Sequence, residues 1–206
     1  MQNFIIQPNQ FLKPEIQAFY HSNYSGGAGQ WRIEGIVENI ICTLKNDITP
    51  FSEIALQGAV QYLSNILSTD LPEILHVAKL NSLTVCTVPR AKTNYQPNQL
   101  LFKTTVSDVV NRLDGFIDGT GYIIRHTDTR TTHRDRAGYG GNGDLPYPEI
   151  TKKTCNISNE VRGKNILLID DLYTETINID EDAIQALLDN GAQSVIFYAV
   201  GKNLHG

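Results

Sequence analysis

Asn165–Asn178 reads N-I-L-L-I-D-D-L-Y-T-E-T-I-N, and the fold follows from how that stretch is read. Four apolar residues, Ile166 to Ile169, follow Lys164 and Asn165 without interruption. A run that short and continuous predicts a strand buried on both faces, as in parallel sheets. It ends abruptly in two aspartates, Asp170 and Asp171. After a polar turn, Asn178 is placed to cap a helix over 179–190, with Asp180, Glu181 and Asp182 at its positive end. Gly191 stands where a left-handed stop is expected, and Ser194–Val200 supplies the next strand. The unit is β-α-β. Its acid pair lies at the carboxyl end of the first strand, where open α/β sheets bind ligands.

Four apolar residues, two acids, two further residues and a threonine-bearing turn make Ile166–Thr174 resemble a known motif. It is the phosphoribosyl-diphosphate (PRPP) motif of type I phosphoribosyltransferases. The resemblance implies that Asp170 and Asp171 hold the ribose 2′- and 3′-hydroxyls. It also implies that the turn Thr174, Glu175, Thr176, Ile177 and Asn178 cradles the 5′-phosphate. Beyond Thr174 the sequence departs from the family's T-T-G-x-T or T-S-G-x-T. Glu175 replaces a hydroxyl residue, Thr176 the glycine, and Asn178 the last threonine. Glycine admits positive φ and close backbone approach, and a β-branched residue resists both. Either the turn takes another path, or the ligand is not ordinary PRPP.

A second likeness lies upstream. Leu83–Val88 predicts a strand that runs into Pro89-Arg90-Ala91-Lys92, and proline cannot continue the ladder. Val88-Pro89-Arg90 with Asn98-Gln99 is similar to the competence-associated, amidophosphoribosyltransferase-like branch of that family. The likeness implies a pyrophosphate loop at Arg90, Ala91 and Lys92. Taken alone, the same residues read as an exposed basic turn.

The rest of the chain is arranged around these strands. Amphipathic spacing predicts helices over 30–47, from Thr49-Pro50 to 68, from Asp70-Leu-Pro72 to 79, and over 99–113. Residues 1–80 are therefore expected to be a mainly helical segment packed on an α/β core at 81–206, and the resemblance implies that this segment covers the acceptor side. Strands are expected at Tyr122–Arg125 and Ile150–Ile157. Between them, 126–149 is a long loop carrying Arg130, His133, Arg134 and Arg136. By length it reads as a lid over the site or as a solvated excursion. Gly138–Gly143 matches G-x-G-x-x-G, but Asp144-Leu-Pro-Tyr-Pro follows where a dinucleotide fingerprint needs a helix. His21–Gly29, rich in glycine and small polar residues, reads as a flexible loop, either a connector or a phosphate loop.

Composition sets outer bounds. Hydrophobic residues make up 41% and charged residues 19%, ordinary for a globular domain. A net charge of −5 gives no case for tight duplex nucleic-acid binding. No apolar run approaches the length of a membrane span, and the first residues lack a secretory pattern, so a cytoplasmic location is expected. Cys42, Cys86 and Cys155 are too few and too scattered for a zinc ribbon or a disulfide framework.

The resemblance implies an Mg²⁺-dependent transfer of ribose 5-phosphate from PRPP, or a related ribose phosphate, to a small nitrogenous acceptor. The Mg²⁺ would be held by diphosphate and sugar oxygens, with Asp170 and Asp171 reaching it indirectly through ribose hydroxyls or water. The alternative is a catalytically diverged module of the same fold that senses nucleotides or works as a partner-dependent effector. A homodimer or a protein partner stays open. Neither His126 nor His133 can be assigned as a general base.

Overall fold

The computed structural model describes residues 1–26, 29–47, 50–132, 138 and 140–204. Six strands form the main sheet, in the order β1 (Gln2–Ile6), β2 (Ile16–Tyr24), β8 (Ser194–Asn203), β7 (Asn165–Tyr173), β3 (Leu83–Thr87) and β4 (Phe116–Asp118). Only β1 runs antiparallel to its neighbour; the other pairings in the sheet are parallel. A short antiparallel ribbon, β5 (Ile123–Arg125) with β6 (Cys155–Ile157), stands apart. Helices α1 (Val37–Lys45), α2 (Glu53–Ala78) and α3 (Leu101–Val110) cover one face. Helix α5 (Ile179–Asp189), with the short α4 (Ile150–Thr154) beside it, covers the other. The chain is a mixed α/β fold with a mostly parallel central sheet flanked by helices.

β7 occupies the place its sequence demands. Leu167 and Ile169 face α1–α3, Ile166 and Leu168 face α5, and all four are fully buried. A side-chain period of two between two helical layers leaves no position for a polar residue. The strand does not stop at the acids. It continues beside β8 to Tyr173, with Tyr173 opposite Lys202, because β8 is itself longer than its apolar run. Gly191 has φ 93° and ends α5 as expected.

Three expectations are corrected. Residues 1–80 are not a separate helical leader. β1 and β2 form one edge of the sheet, and Ala18 and Phe19 pair with Phe197 and Tyr198 of β8. The apolar part of β2 is short and ends in His-Ser-Asn-Tyr, which hid it among loop-like residues. Second, the break expected at Asp70-Leu-Pro72 is absent, and α2 is one helix with Pro72 inside it. An interior proline costs roughly 3 kcal/mol. Here Leu63, Leu67, Leu71 and Ile74 line one fully buried stripe through the proline, and their burial outweighs that cost. Third, residues 150–154 are helical rather than extended. The Asp182 carboxylate accepts from Glu149 N–H (2.6 Å) and Thr151 N–H (2.7 Å), a cap supplied from α5 that no local pattern reveals.

Helix α1 lies close on β8 at Gly201. A Cβ there would stand 2.9 Å from Val37 Cγ1 and 3.0 Å from Ile41 Cδ1. Gly201→Val is therefore expected to destabilise by roughly 1–3 kcal/mol. The midpoint of denaturant unfolding reads this out, with Gly121→Ala as control, since nothing lies within 4 Å of a Cβ at Gly121. Equal midpoints for the two variants would contradict the packing.

Candidate active site

From β3 the chain crosses to β4 on one side; from β7 it crosses to β8 on the other. The carboxyl ends of β3 and β7 thus flank a topological switch point, where a crevice opens in sheets of this kind. The β3–β7 ladder closes at Thr87 opposite Ile169, with Val88 N–H donating to the Ile169 carbonyl (3.0 Å). Asp170 and Asp171 follow at once, and both line three adjoining pockets.

Alternation along β7 separates the two carboxylates. Asp171 turns toward α1, where Lys45 Nζ lies 2.9 Å from its Oδ1; the two side chains are only 20% and 17% exposed. Burial opposes the charge on Lys45, but Asp171 and Asp170 together outweigh it and hold the ammonium above its usual pKa. Asp170 turns toward α5 and meets Asp180, itself 5% exposed. Asp170 Oδ1 also accepts from Asp171 N–H at 2.7 Å. Beyond Asp171 the alternation reverses, with Leu172 packing on the α1 side and Tyr173 on the other.

Desolvation, then the neighbouring Asp171, raises Asp170 to about 7. Desolvation, then Asp170, raises Asp180 well above the usual carboxylate range. Asp180 Oδ1 is buried with no other hydrogen-bond partner. A proton held between the two carboxyls accounts for both shifts. Three carboxyls, one shared proton and one ammonium leave the cluster a single net negative charge.

The cations expected to grip a ligand are turned inward. Arg90 donates to the Lys45 carbonyl (3.1 Å) and the Gln99 carbonyl, pairs with the Asp47 carboxylate, and lies over the Tyr95 ring at 4.1 Å. It fastens the end of α1 to the loop after β3. Lys92 Nζ donates to the carbonyls of Thr129 (2.6 Å) and Asn142 (2.7 Å). The Ala91 carbonyl accepts from Thr129 N–H (2.8 Å), so this loop anchors the long excursion rather than standing open. Arg130 Nε donates to the Gly143 carbonyl (3.1 Å), and Arg130 still lines the cleft. His133, Arg134 and Arg136 lie outside the described residues.

The turn after β7 takes a path of its own. Ile177 N–H closes it on the Thr174 carbonyl (2.9 Å), and Glu175 and Thr176 are exposed. The left-handed residue is Asn178, at φ 60°, a conformation asparagine tolerates far better than threonine. Asn178 therefore does not cap α5 through its side chain. Its amide instead donates to the Thr176 carbonyl (3.3 Å) and accepts from Asn9 Nδ2 (2.8 Å). The altered residues are accommodated by moving positive φ to the end of the turn.

Sequence reading missed Lys45, Asp180 and Arg125. Lys45 is the last residue of an amphipathic helix, and Asp180 reads as a helix-dipole acid; neither pattern signals a site. Arg125, 8% exposed, donates to the Arg90 carbonyl (2.6 Å) and Thr154 Oγ1 (2.7 Å), bracing the loop from behind. Among the described residues, no group of three or more His, Cys, Asp or Glu is arranged to hold a metal ion, and no helix is long and apolar enough to cross a membrane. The three cysteines are free thiols. No protein-family model matches the chain, and no curated protein matches it.

The shared proton has a measurable consequence. Between the ordinary carboxylate range and about 7, the folded chain holds this proton and the unfolded chain does not. The contribution therefore favours folding at low pH and is lost as pH rises through 7. Asp170→Asn keeps an acceptor for Asp171 N–H and removes the titration. At pH 8 it is expected to melt about 2 °C or more above the wild type, with the gap closing as pH falls toward the ordinary carboxylate range. Parallel pH profiles of Tm would refute the assignment.

Proposed function

We propose that the cleft binds a phosphorylated ribose and that the chain is a phosphoribosyltransferase of the type I kind, passing ribose 5-phosphate from PRPP or a related donor to a nitrogenous acceptor. The observation that carries this reading is the Asp170–Asp171 pair at the carboxyl end of β7, at the switch point, followed by a turn into the amino end of α5. Adjacent carboxylates suit a vicinal diol, because each accepts one hydroxyl proton. The start of α5 presents the positive end of the helix dipole, to which an anion is attracted. Positive charge developing on the sugar ring during transfer would face a cluster of net negative charge. Lys45, which lines all three pockets, is paired directly with Asp171.

A protein-held Mg²⁺ does not fit the acid pair as it stands. Asp171 is engaged by Lys45, and Asp170 by Asp171 N–H and Asp180.

The inward commitment of Arg90 and Lys92 favours a second reading, a module of this fold that binds the ribose phosphate without turning it over. Cations already satisfied by Asp47 and by carbonyls are poor candidates for gripping a departing diphosphate.

Calorimetric titration with PRPP tests the site itself. The wild type is expected to bind saturably. Asp170→Asn with Asp171→Asn is expected to lose at least about tenfold in affinity while remaining folded by circular dichroism, since hydrogen bonds to charged groups are worth about 1.5–3 kcal/mol each. Unchanged binding in the double variant would place the ribose elsewhere. Consumption of PRPP with a panel of bases and amines then separates transferase from binding module.

A further inference from the structure

The acid pair already holds a cation. Adjacent carboxylates at the end of a sheet are an ordinary landing place for a divalent ion, which takes oxygen ligands and keeps several waters. Here the Lys45 ammonium sits 2.9 Å from Asp171 Oδ1, with Asp170 also raising its pKa. Its stem is fixed at the backbone. Lys45 closes α1, Asn46 follows in the left-handed conformation at φ 47°, and the Lys45 carbonyl accepts from Arg90. Arg90 is in turn pinned by Asp47 and the Tyr95 ring. The backbone that carries the lysine is thus fixed beside the acid pair.

We propose that Lys45 is the resident cation of the Asp170–Asp171 site, standing where a divalent metal ion would stand, so that a sugar phosphate binds there without a metal. The second half of the statement rests on the phosphoribose reading; the first does not. The donor chemistry agrees. An ammonium carries three N–H donors, and among the described residues Asp171 is the side chain that Lys45 pairs with. Lys45 lines the pockets that meet at the pair, with ammonium donors beyond the one given to Asp171. They suit a phosphate oxygen next to a hydroxyl held by Asp171. Asp170, sharing its proton with Asp180 and accepting from Asp171 N–H, offers little to a metal and much to a hydroxyl. The site is then selective for an anionic, hydroxylated ligand and indifferent to Mg²⁺.

Two titrations on the purified full chain decide it. In the first, Mn²⁺ alone is followed by electron paramagnetic resonance. The wild type is expected to show no Mn²⁺ site that Asp171→Asn removes. Lys45→Met is expected to gain one, and the Lys45→Met, Asp171→Asn double variant to lose it again. A wild-type Mn²⁺ site abolished by Asp171→Asn would overturn the proposal, and that comparison stands even if Lys45→Met fails to fold. So would a folded Lys45→Met that gains no site.

In the second, PRPP is titrated calorimetrically in EDTA and in Mg²⁺. The wild type is expected to bind equally in both, within about threefold. Lys45→Met is expected to bind at least about tenfold more weakly in EDTA, the loss of one charge-assisted contact, and to recover partly with Mg²⁺. Wild-type binding that appears only with Mg²⁺ would refute metal independence while leaving the phosphoribose reading intact. Absence of PRPP binding under both conditions would refute that reading and the second half of the proposal, while the Mn²⁺ result still judges Lys45.

Discussion

Two carboxylates held side by side at the end of a buried strand repel each other, and much of the surrounding structure answers that repulsion. Alternation of side chains along β7 aims Asp170 and Asp171 at different helices. Each helix then supplies a different remedy. Helix α1 brings an ammonium to Asp171, and α5 brings a protonatable partner to Asp170. Neither remedy is available to the strand alone. The acid pair can exist at the sheet's switch point only because both helical layers close over it.

This dependence explains where the other charges are spent. Arg90 is the obvious ligand-binding cation by sequence, yet its guanidinium joins the α1 carboxyl end, Asp47 and Tyr95 into one clamp. The clamp fixes the helix end that delivers Lys45. Arg125, buried behind it, holds the Arg90 carbonyl and ties the same loop to α4 through Thr154. Positive charge is thus relayed from the periphery inward, and Lys45 is its terminus at the cleft. Close approach of α1 to β8 at Gly201 completes the arrangement, since a larger residue there would lift the helix carrying the lysine.

The sequence made the centre of the fold legible and left its margins obscure, for physical reasons. Ile166–Ile169, the acid pair, α5 and β8 are readable because a continuous apolar run, a left-handed glycine and helical spacing are all local signals. β1 and β2 are not. An edge strand and its neighbour need few apolar residues, and β2 passes into a polar segment while still paired with β8. The helix at 150–154 depends on a carboxylate 31 residues away, at Asp182, so no window around it carries the signal. Lys45 and Asp180 are obscure for a related reason. Their roles come from what faces them across the layers, and a lysine closing a helix or an aspartate opening one is common on any surface. The break predicted at Pro72 fails in the opposite direction, because a local rule is outweighed by a fully buried stripe.

The altered turn after β7 belongs to the same economy of charge. A glycine at 176 would let the backbone wrap closely around a phosphate; here the turn keeps Thr176 exposed and places its left-handed residue at Asn178, tied to Asn9. The amino end of α5 then carries Asp180, Glu181 and Asp182, all buried and all with protein partners: Asp170 for Asp180, Tyr173 for Glu181 and the backbone at the start of α4 for Asp182. An anion arriving at that helix end meets a positive dipole already partly answered by its own carboxylates. A further attraction for an anion lies across the cleft, in the Lys45 ammonium that lines the pockets. A ligand satisfying both sides must carry hydroxyls for the acid pair and an anionic group close beside them, and the spacing between the two is set by one lysine side chain.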